Sequence, residues 1–450
     1  MQWPQLLCAD RLGTDKKVAP DPARSPYPVD ADRITFCSAF RRLQDKTQVF
    51  PLADNDYVRT RLTHSLEVAS VARSLGARVG AEIVKRRGLA PQFHASDFGA
   101  ITAAAALAHD LGNPPFGHSG EDAMAHWFKT SPFAKRARAE LSRTERADLG
   151  SFEGNAQGFR VIARLQMPDN PGLQLTCATL GAFTKYPCAS TTPESARRGV
   201  STKKFGFFHA DRDLFAEVAA RTGLLRRSKT GVWCRHPLAF LVEAADDICY
   251  RLVDFEDGFR LKHLDYETVR DAFVEVSGDP KDRERAARMR DPKDGIAFLR
   301  AKAIGSAIYQ ASEVFLAHEA ELLDGKFDRE LLDLIPAAAA LGGIKEQSKK
   351  TIYSTQRGVE IEAAGYEVLG GLLDVFFGAV DELARCGKKV SRRSQKLVSL
   401  IPTQFLESDR TASRSTYQRL LRITDFVSGM TDSYAVSLYK KVRGISLPGQ

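Results

Sequence analysis

The sequence predicts a mainly α fold. Apolar residues recur at helical rather than alternating spacing along most of the 450 residues, alanine-rich stretches favour helix, and strand signals are few and short. Residues 1–30, rich in Pro and Asp/Arg with little periodicity, read as an irregular leader. From residue 64 the pattern turns helical: His64, Val68, Val71, Leu75 and Val79 step by three or four and share one face. That spacing puts His64 on the buried side of its helix. Phe98, Ile101, Ala105 and Ala108 mark a second helix, which carries His109 and Asp110 at its end, where Gly112 and Pro114-Pro115 stop it. Residues 266–320 are charged and helical in character, with DRERAARMRDPKDG as a solvated face or loop. Residues 330–385 return to strong helical patterning, and TYQRLLRITDFVSGMTDSYAVSLYKK reads as a last pair of helices. KFGFF and GVWC are the best strand candidates. The expected organisation is the leader, a core over 31–270, and a helical C-terminal region over 271–450 that packs on it.

Length allows a large core in one or two domains. The seven cysteines are an odd number without CxxC spacing, which argues against a disulfide framework or a zinc ribbon and for reduced thiols in a cytoplasmic protein. The N-terminus has no basic start followed by an apolar stretch, and no run of about 18 apolar residues occurs, so neither a signal peptide nor a membrane span is expected. The net charge of +9 is clustered at 85–87, 226–229, 349–350 and 388–396. Such clusters attract phosphates, on a nucleotide or a nucleic acid, and each also reads as a solvated face. No aromatic-interleaved nucleic-acid motif accompanies them.

The chemistry is concentrated in four distant fragments: RTRLTHSLEV, AHDLGNPPFGHSGE, FEGNAQGFR and EAADDICYRLVD. His64, His109 and Asp110 offer the imidazole and carboxylate donors that a divalent metal takes from a protein. The fourth donor comes from one of two adjacent aspartates, which point roughly 100° apart on a helix. Asp246, Tyr250 and Asp254 stack at i, i+4 and i+8, whereas Asp247 lies four before Arg251 and suits a helix-surface ion pair. Asp246 is therefore the expected ligand. His118 and Glu121, three apart after the proline pair, can place a carboxylate behind an imidazole, as a proton carrier near neutral pH requires. Asn155 is a candidate pocket residue, although Gly154 and Gly158 equally suit a simple turn.

These strings resemble the deoxyguanosine triphosphate triphosphohydrolase branch of the HD superfamily. The resemblance runs in order from FCSAFRRLQDKTQVFP (36–51) through RTRLTHS, HDLGNPPFGHSGE, FEGNAQGFR, TLGAFTKYP and EAADDICY to DFVSGMTDSYA (425–435). It implies an HD-domain helical bundle with additional C-terminal helices, and a metal held by His64, His109, Asp110 and Asp246. The metal implied is Mn²⁺ or Mg²⁺, while Fe²⁺, Co²⁺ or Zn²⁺ also suit such donors. His118 and Glu121 match the family's proposed catalytic pair. Arg61 sits one turn before His64, and Lys185, Tyr186 and Lys204 match triphosphate-contacting positions. Gln48 resembles a sugar-contacting glutamine, with Tyr250 expected over the deoxyribose and Asp254 on its 3′-hydroxyl. The implied reaction converts a deoxynucleoside triphosphate to deoxynucleoside and inorganic triphosphate. Family members assemble as tetramers or hexamers and bind single-stranded DNA or nucleotide effectors; no feature of this sequence identifies the assembly, an effector site or the preferred base.

Two other readings share part of this evidence. Another HD phosphohydrolase, acting on a monophosphate, a cyclic dinucleotide or an alarmone, would use the same ligands but has no reason to carry KTQVFP, FEGNAQG and TKYP. A nucleotide-gated, nucleic-acid-binding regulator would use the basic clusters, but has no need of the His118–Glu121 proton carrier.

Overall fold

The computed structural model describes residues 1–14, 21, 24–48, 59–167, 172–197, 199–228, 231–353 and 356–446. Helices dominate, as expected: among the described residues there are twenty-one α-helices, and the one sheet is a hairpin of Arg226–Ser228 with Val232–Trp233. GVWC thus supplies a strand, whereas KFGFF contributes only an isolated bridge from Phe207 to Ala189. The reason lies in its side chains. Phe207 and Phe208 are consecutive and both fully buried, where a half-exposed strand would alternate. Phe207 stacks on Phe215 with ring centroids 4.7 Å apart.

Two long helices form the scaffold. The first, Arg61–Arg87, buries His64, Val68, Val71, Leu75 and Val79 along one face, and ends where Gly88 turns left-handed at φ 62°. Its last turn carries Lys85, Arg86 and Arg87, so this basic cluster faces the helix's own orphaned carbonyls and negative dipole end. Packed along it is the alanine-rich helix Ala95–Ala108, which delivers His109. The second long scaffold helix, Pro237–Arg260, crosses both and supplies Asp246.

The N-terminal stretch is better packed than its composition suggests. Trp3, Leu6, Leu7 and Leu12 are buried, and Trp3 Nε1 donates to Glu319 at 2.8 Å. A single four-residue helix is too short to show periodicity. DRERAARMRDPKDG likewise folds into the helix Lys281–Ala287 and the start of Pro292–Ala317, with Asp291 capping the latter by accepting from Lys293 N at 2.8 Å.

Apolar side chains gather into two clusters. One joins the N-terminus, the two scaffold helices, Ala95–Ala108, Tyr266–Ser277 and Pro292–Ala317. The other joins Gly117–Thr130, which bears His118 and Glu121, to Gln356–Cys386 and the last two helices, Thr416–Ser428 and Asp432–Val442. One stretch, Val359–Lys389, is long and apolar enough to cross a membrane by length and composition alone, but 56% of its apolar window is buried inside the protein.

A buried ionic knot ties the clusters together. Arg160, ending the helix Gly154–Arg160, donates from Nε and Nη2 to the two carboxylate oxygens of Asp425 at 2.9 Å and from Nη1 to Asp211 at 3.1 Å. Gln157 adds a 2.9 Å bond to Asp425. Removing one partner of a buried, hydrogen-bonded pair leaves the other charge uncompensated, at a cost of about 3–5 kcal/mol. Asp425→Ala should therefore lower the urea unfolding midpoint by that much stability; a loss below about 1 kcal/mol would show the knot to be dispensable.

Candidate active site

The scaffold helices bring three donors onto one point. His64 Nε2 lies 3.2 Å from Asp246 Oδ1, and His109 Nε2 lies 3.6 Å from the same oxygen. The donor atoms of His64, His109 and Asp246 all fall within 4.8 Å of one another. His109 Nδ1 sits 2.6 Å from the Ala106 carbonyl, so its proton is spent on the backbone and the bare Nε2 lone pair faces the cluster. Asp110 adjoins the group, with Oδ1 3.6 Å from His109 Nε2. Its oxygens already accept from Arg61 Nη1 at 2.9 Å and from Asn113 Nδ2.

Neighbouring charge separates the two aspartates of the Pro237–Arg260 helix. Burial opposes ionisation of Asp246, but His109, His64 and Lys185 overcome it and hold its carboxyl far below the usual range. Asp247 is pushed up to about 6 by burial, which Lys185 and Arg251 only partly offset. It pairs with Arg251 Nη2 at 3.0 Å, as the four-residue spacing predicts. A bare imidazole nitrogen beside a firmly ionised carboxylate suits a divalent cation, so this donor set fits a metal.

The second cluster meets the first at a close approach of backbones. A Cβ on Gly112 would lie 2.0 Å from both Gly154 O and Gly158 N, so only glycine lets the loop after Asp110 pass the FEGNAQGFR segment. That segment is a helix and not a turn. Its first amide, Gly154 N, donates to Glu121 Oε1 at 2.6 Å, while Glu121 Oε2 lies 2.9 Å from His118 Nδ1. The His118 side chain is 80% exposed and lines the cavity. Its hydrogen bond to Glu121 raises the imidazole pKa. Glu121 in turn is held below its ordinary value: burial opposes, and the His118 bond, Lys204 and the Gly154 amide prevail. Just ahead of this helix Phe116 adopts φ 65°, rarely tolerated by an aromatic residue; its N–H is pinned to Asp432 Oδ1 at 3.1 Å. Asp432 Oδ2 accepts from Thr47 N at 3.0 Å and Thr47 Oγ1 at 2.6 Å.

A cavity of about 660 Å³ opens over these groups. Gln48, Arg61, Asn155, Lys185, Tyr186, Lys204 and Tyr250 all line it, together with His64, His109, Asp110, His118 and Asp246. Among the described residues Gln48 Oε1 and Arg61 Nε are buried there without a hydrogen-bond partner, polar atoms that a ligand can satisfy. Lys185 pairs with Glu243 at 3.3 Å and Lys204 with Glu153 at 3.3 Å.

Asp254 departs from expectation. It is absent from the cavity wall, only 1% exposed, and its Oδ2 accepts from the Tyr353 hydroxyl at 2.9 Å. Tyr353 is the residue that faces the cavity, stacked on Tyr250 with centroids 5.3 Å apart and planes 10° apart. Nothing in KKTIYST links Tyr353 to a motif a hundred residues earlier; tertiary packing alone unites them. Lys46 was equally hidden in the sequence. It is buried with Nζ bonded to the carbonyls of Asn113 and Ser428, and burial lowers its pKa to about 7.

Comparison with known proteins fits this geometry. The HD domain family model matches residues 61–162 and the phosphohydrolase-associated domain model matches residues 336–441. A "deoxyguanosinetriphosphate triphosphohydrolase-like protein" of Synechocystis sp. is 44% identical over 99% of this chain and 100% of its own length. This chain belongs to that family. A Pseudomonas aeruginosa protein of the same description is 38% identical over 100% of both chains, and a Serratia proteamaculans deoxyguanosinetriphosphate triphosphohydrolase is 31% identical over 92% of both. As an HD-domain hydrolase of the triphosphohydrolase-like family, the chain keeps His64, His109, Asp110, His118, Glu121 and Asn155 within the matched HD segment, while Asp246, Lys185 and Lys204 lie beyond it. Tyr353 and Asp432 fall in the phosphohydrolase-associated segment.

The split between the two aspartates sets a direct test. After dialysis against Mn²⁺, Asp246→Asn should lose bound metal by elemental analysis while Asp247→Asn retains it. The reverse pattern would assign the ligand to Asp247.

Proposed function

We propose that the protein hydrolyses deoxynucleoside triphosphates, dGTP among them, to the deoxynucleoside and inorganic triphosphate in a reaction that depends on a divalent metal. One observation carries this reading: a single cavity joins the His64/His109/Asp246 cluster, the His118–Glu121 pair, two lysines and a tyrosine wall. A general phosphomonoesterase needs no such wall, and a binder needs no proton carrier.

His64, His109 and Asp246, with Asp110 beside them, would hold Mn²⁺ or Mg²⁺, which supplies Lewis acidity at a phosphoryl oxygen and a more acidic water. Fe²⁺, Co²⁺ and Zn²⁺ suit the same donors. The chain's own groups do the rest. Lys185, Lys204, Tyr186 and the open Nε of Arg61 receive the triphosphate oxygens. Water attacks the α-phosphorus, the P–O5′ bond breaks, and the departing 5′-oxygen takes a proton from His118, whose imidazolium Glu121 orients and stabilises. The sugar lies against Tyr250 and Tyr353, with Gln48 Oε1 and Asn155 within the same cavity as its polar partners. Asp254 acts on it through the Tyr353 hydroxyl. We further place the enzyme in the cytoplasm as a homo-oligomer, tetrameric or hexameric, with single-stranded DNA as an additional partner; family resemblance, seven free cysteines and the net charge of +9 support this.

Incubation with each dNTP and Mn²⁺ or Mg²⁺ should release triphosphate; release of pyrophosphate or orthophosphate would refute the reading. His118→Ala should lower turnover about 10²–10⁴-fold with metal content intact. Glu121 raises the His118 pKa, so the acid form survives to higher pH, and activity falls as pH rises through that pKa. Glu121→Gln removes the charge and should move this alkaline limb of the kcat profile to lower pH; an unmoved limb would mean that His118 is not the acid.

Sugar selectivity follows from the tyrosine stack. A ring packed beneath C2′ leaves no space for a hydroxyl, so GTP should be a poor substrate beside dGTP. Tyr250→Ala should narrow the ratio of their kcat/KM values while sparing metal binding; equal values in the wild type would overturn the pocket assignment.

A further inference from the structure

Lys185 does not stand alone in the cavity. Its Nζ lies 3.3 Å from Glu243 Oε1, and Glu243 Oε2 accepts from Arg235 Nη1 at 2.6 Å. Behind the carboxylate the Arg235 side chain is 0% exposed, with Nη2 on the Val200 carbonyl at 3.1 Å and its guanidinium 5.0 Å from the Phe240 ring centre. The Glu243 side chain is 6% exposed and reaches the cavity edge. One carboxylate thus serves two cations, and the trio keeps a net positive charge. Glu243 also stands three residues before Asp246 on the Pro237–Arg260 helix, so it shares that residue's side of the helix one turn earlier.

We propose that Glu243 is a positioning residue: anchored by Arg235, it holds the Lys185 ammonium at a fixed place beside the Asp246 cluster, ready for the outer phosphates of the substrate. The inference rests on the triphosphate reading above and deepens it. A lysine stem loses considerable rotamer freedom when its end is immobilised, and ordering it only at binding would weaken affinity. The salt bridge does that ordering beforehand. A carboxylate at a polyphosphate site would ordinarily repel its ligand; here the buried guanidinium offsets its charge from behind, so the salt bridge by itself does not neutralise Lys185. Consistently, Arg235 and Lys185 keep the Glu243 carboxyl below its usual range in spite of burial. Because the outer phosphates do not react, contacts to them act alike on ground and transition states, and their loss belongs in KM rather than kcat.

The test combines Glu243→Gln, Lys185→Met and the double variant, measuring kcat and KM with dGTP, the Kd of inorganic tripolyphosphate, metal content and circular dichroism. Each single substitution should raise KM and the tripolyphosphate Kd about tenfold while kcat changes much less, and the double variant should be no worse than Lys185→Met. Glu243→Asp, which keeps the charge, should restore part of the affinity. If Glu243→Gln fails to fold because Arg235 is stranded, Arg235→Met combined with Glu243→Gln removes both buried charges and should show the same KM-dominated loss. Unchanged KM and Kd, additive single effects, or a collapse of kcat with loss of metal would each overturn the inference. Wild-type protein that binds tripolyphosphate but releases none from dGTP would refute the hydrolytic reading alone, with the Kd comparison still deciding the role of Glu243; wild-type protein that does not bind it would refute the Glu243 inference.

Discussion

The placement of one buried guanidinium underlies the rest of the site. Arg160 is shared by Asp425 and Asp211, and so joins a short helix in the middle of the chain to a helix near its end. That short helix begins at Gly154, whose amide holds Glu121, which in turn orients His118. Its position is fixed from the other side by the glycine contact with the loop that follows Asp110. The His118–Glu121 pair and the metal-fit cluster come from different apolar cores, and hydrophobic packing is non-directional. A bidentate ion pair between buried side chains is directional, and it sets the register between those cores.

The same helix shows how environment assigns different chemistry to like side chains. Asp246 and Asp247 are adjacent and chemically identical. One faces two imidazoles and stays ionised; the other is buried beside its own ion pair and titrates near pH 6. Along this helix Glu243, Asp246 and Tyr250 succeed one another turn by turn, so a ligand laid along it meets lysine, metal-fit cluster and aromatic wall in sequence.

What could be read in the sequence was whatever depends on helical period. His64 on an apolar face, the Asp247–Arg251 pair and the three-residue spacing of His118 and Glu121 are all local geometry, and these side chains stand where the helical period puts them. The features that escaped depend on distant segments. Asp254 has the spacing of a sugar contact but is turned onto Tyr353, which no motif marks. Lys46, Asp432 and Glu243 act through partners far away or on another element. The glycines of FEGNAQG read as a turn because a glycine required by close packing and one required by a bend look alike in a sequence. The cluster at 85–87 suits either a phosphate partner or a solvated face in the sequence, and it forms the last turn of a helix.

Asp432 gathers the Thr47 backbone and the strained Phe116 turn, two walls of the cavity that come from different parts of the chain. It sits at the start of the helix Asp432–Val442, so one carboxylate on a distant segment sets both rims at once, and neither of its two oxygens can be re-aimed without moving the other rim.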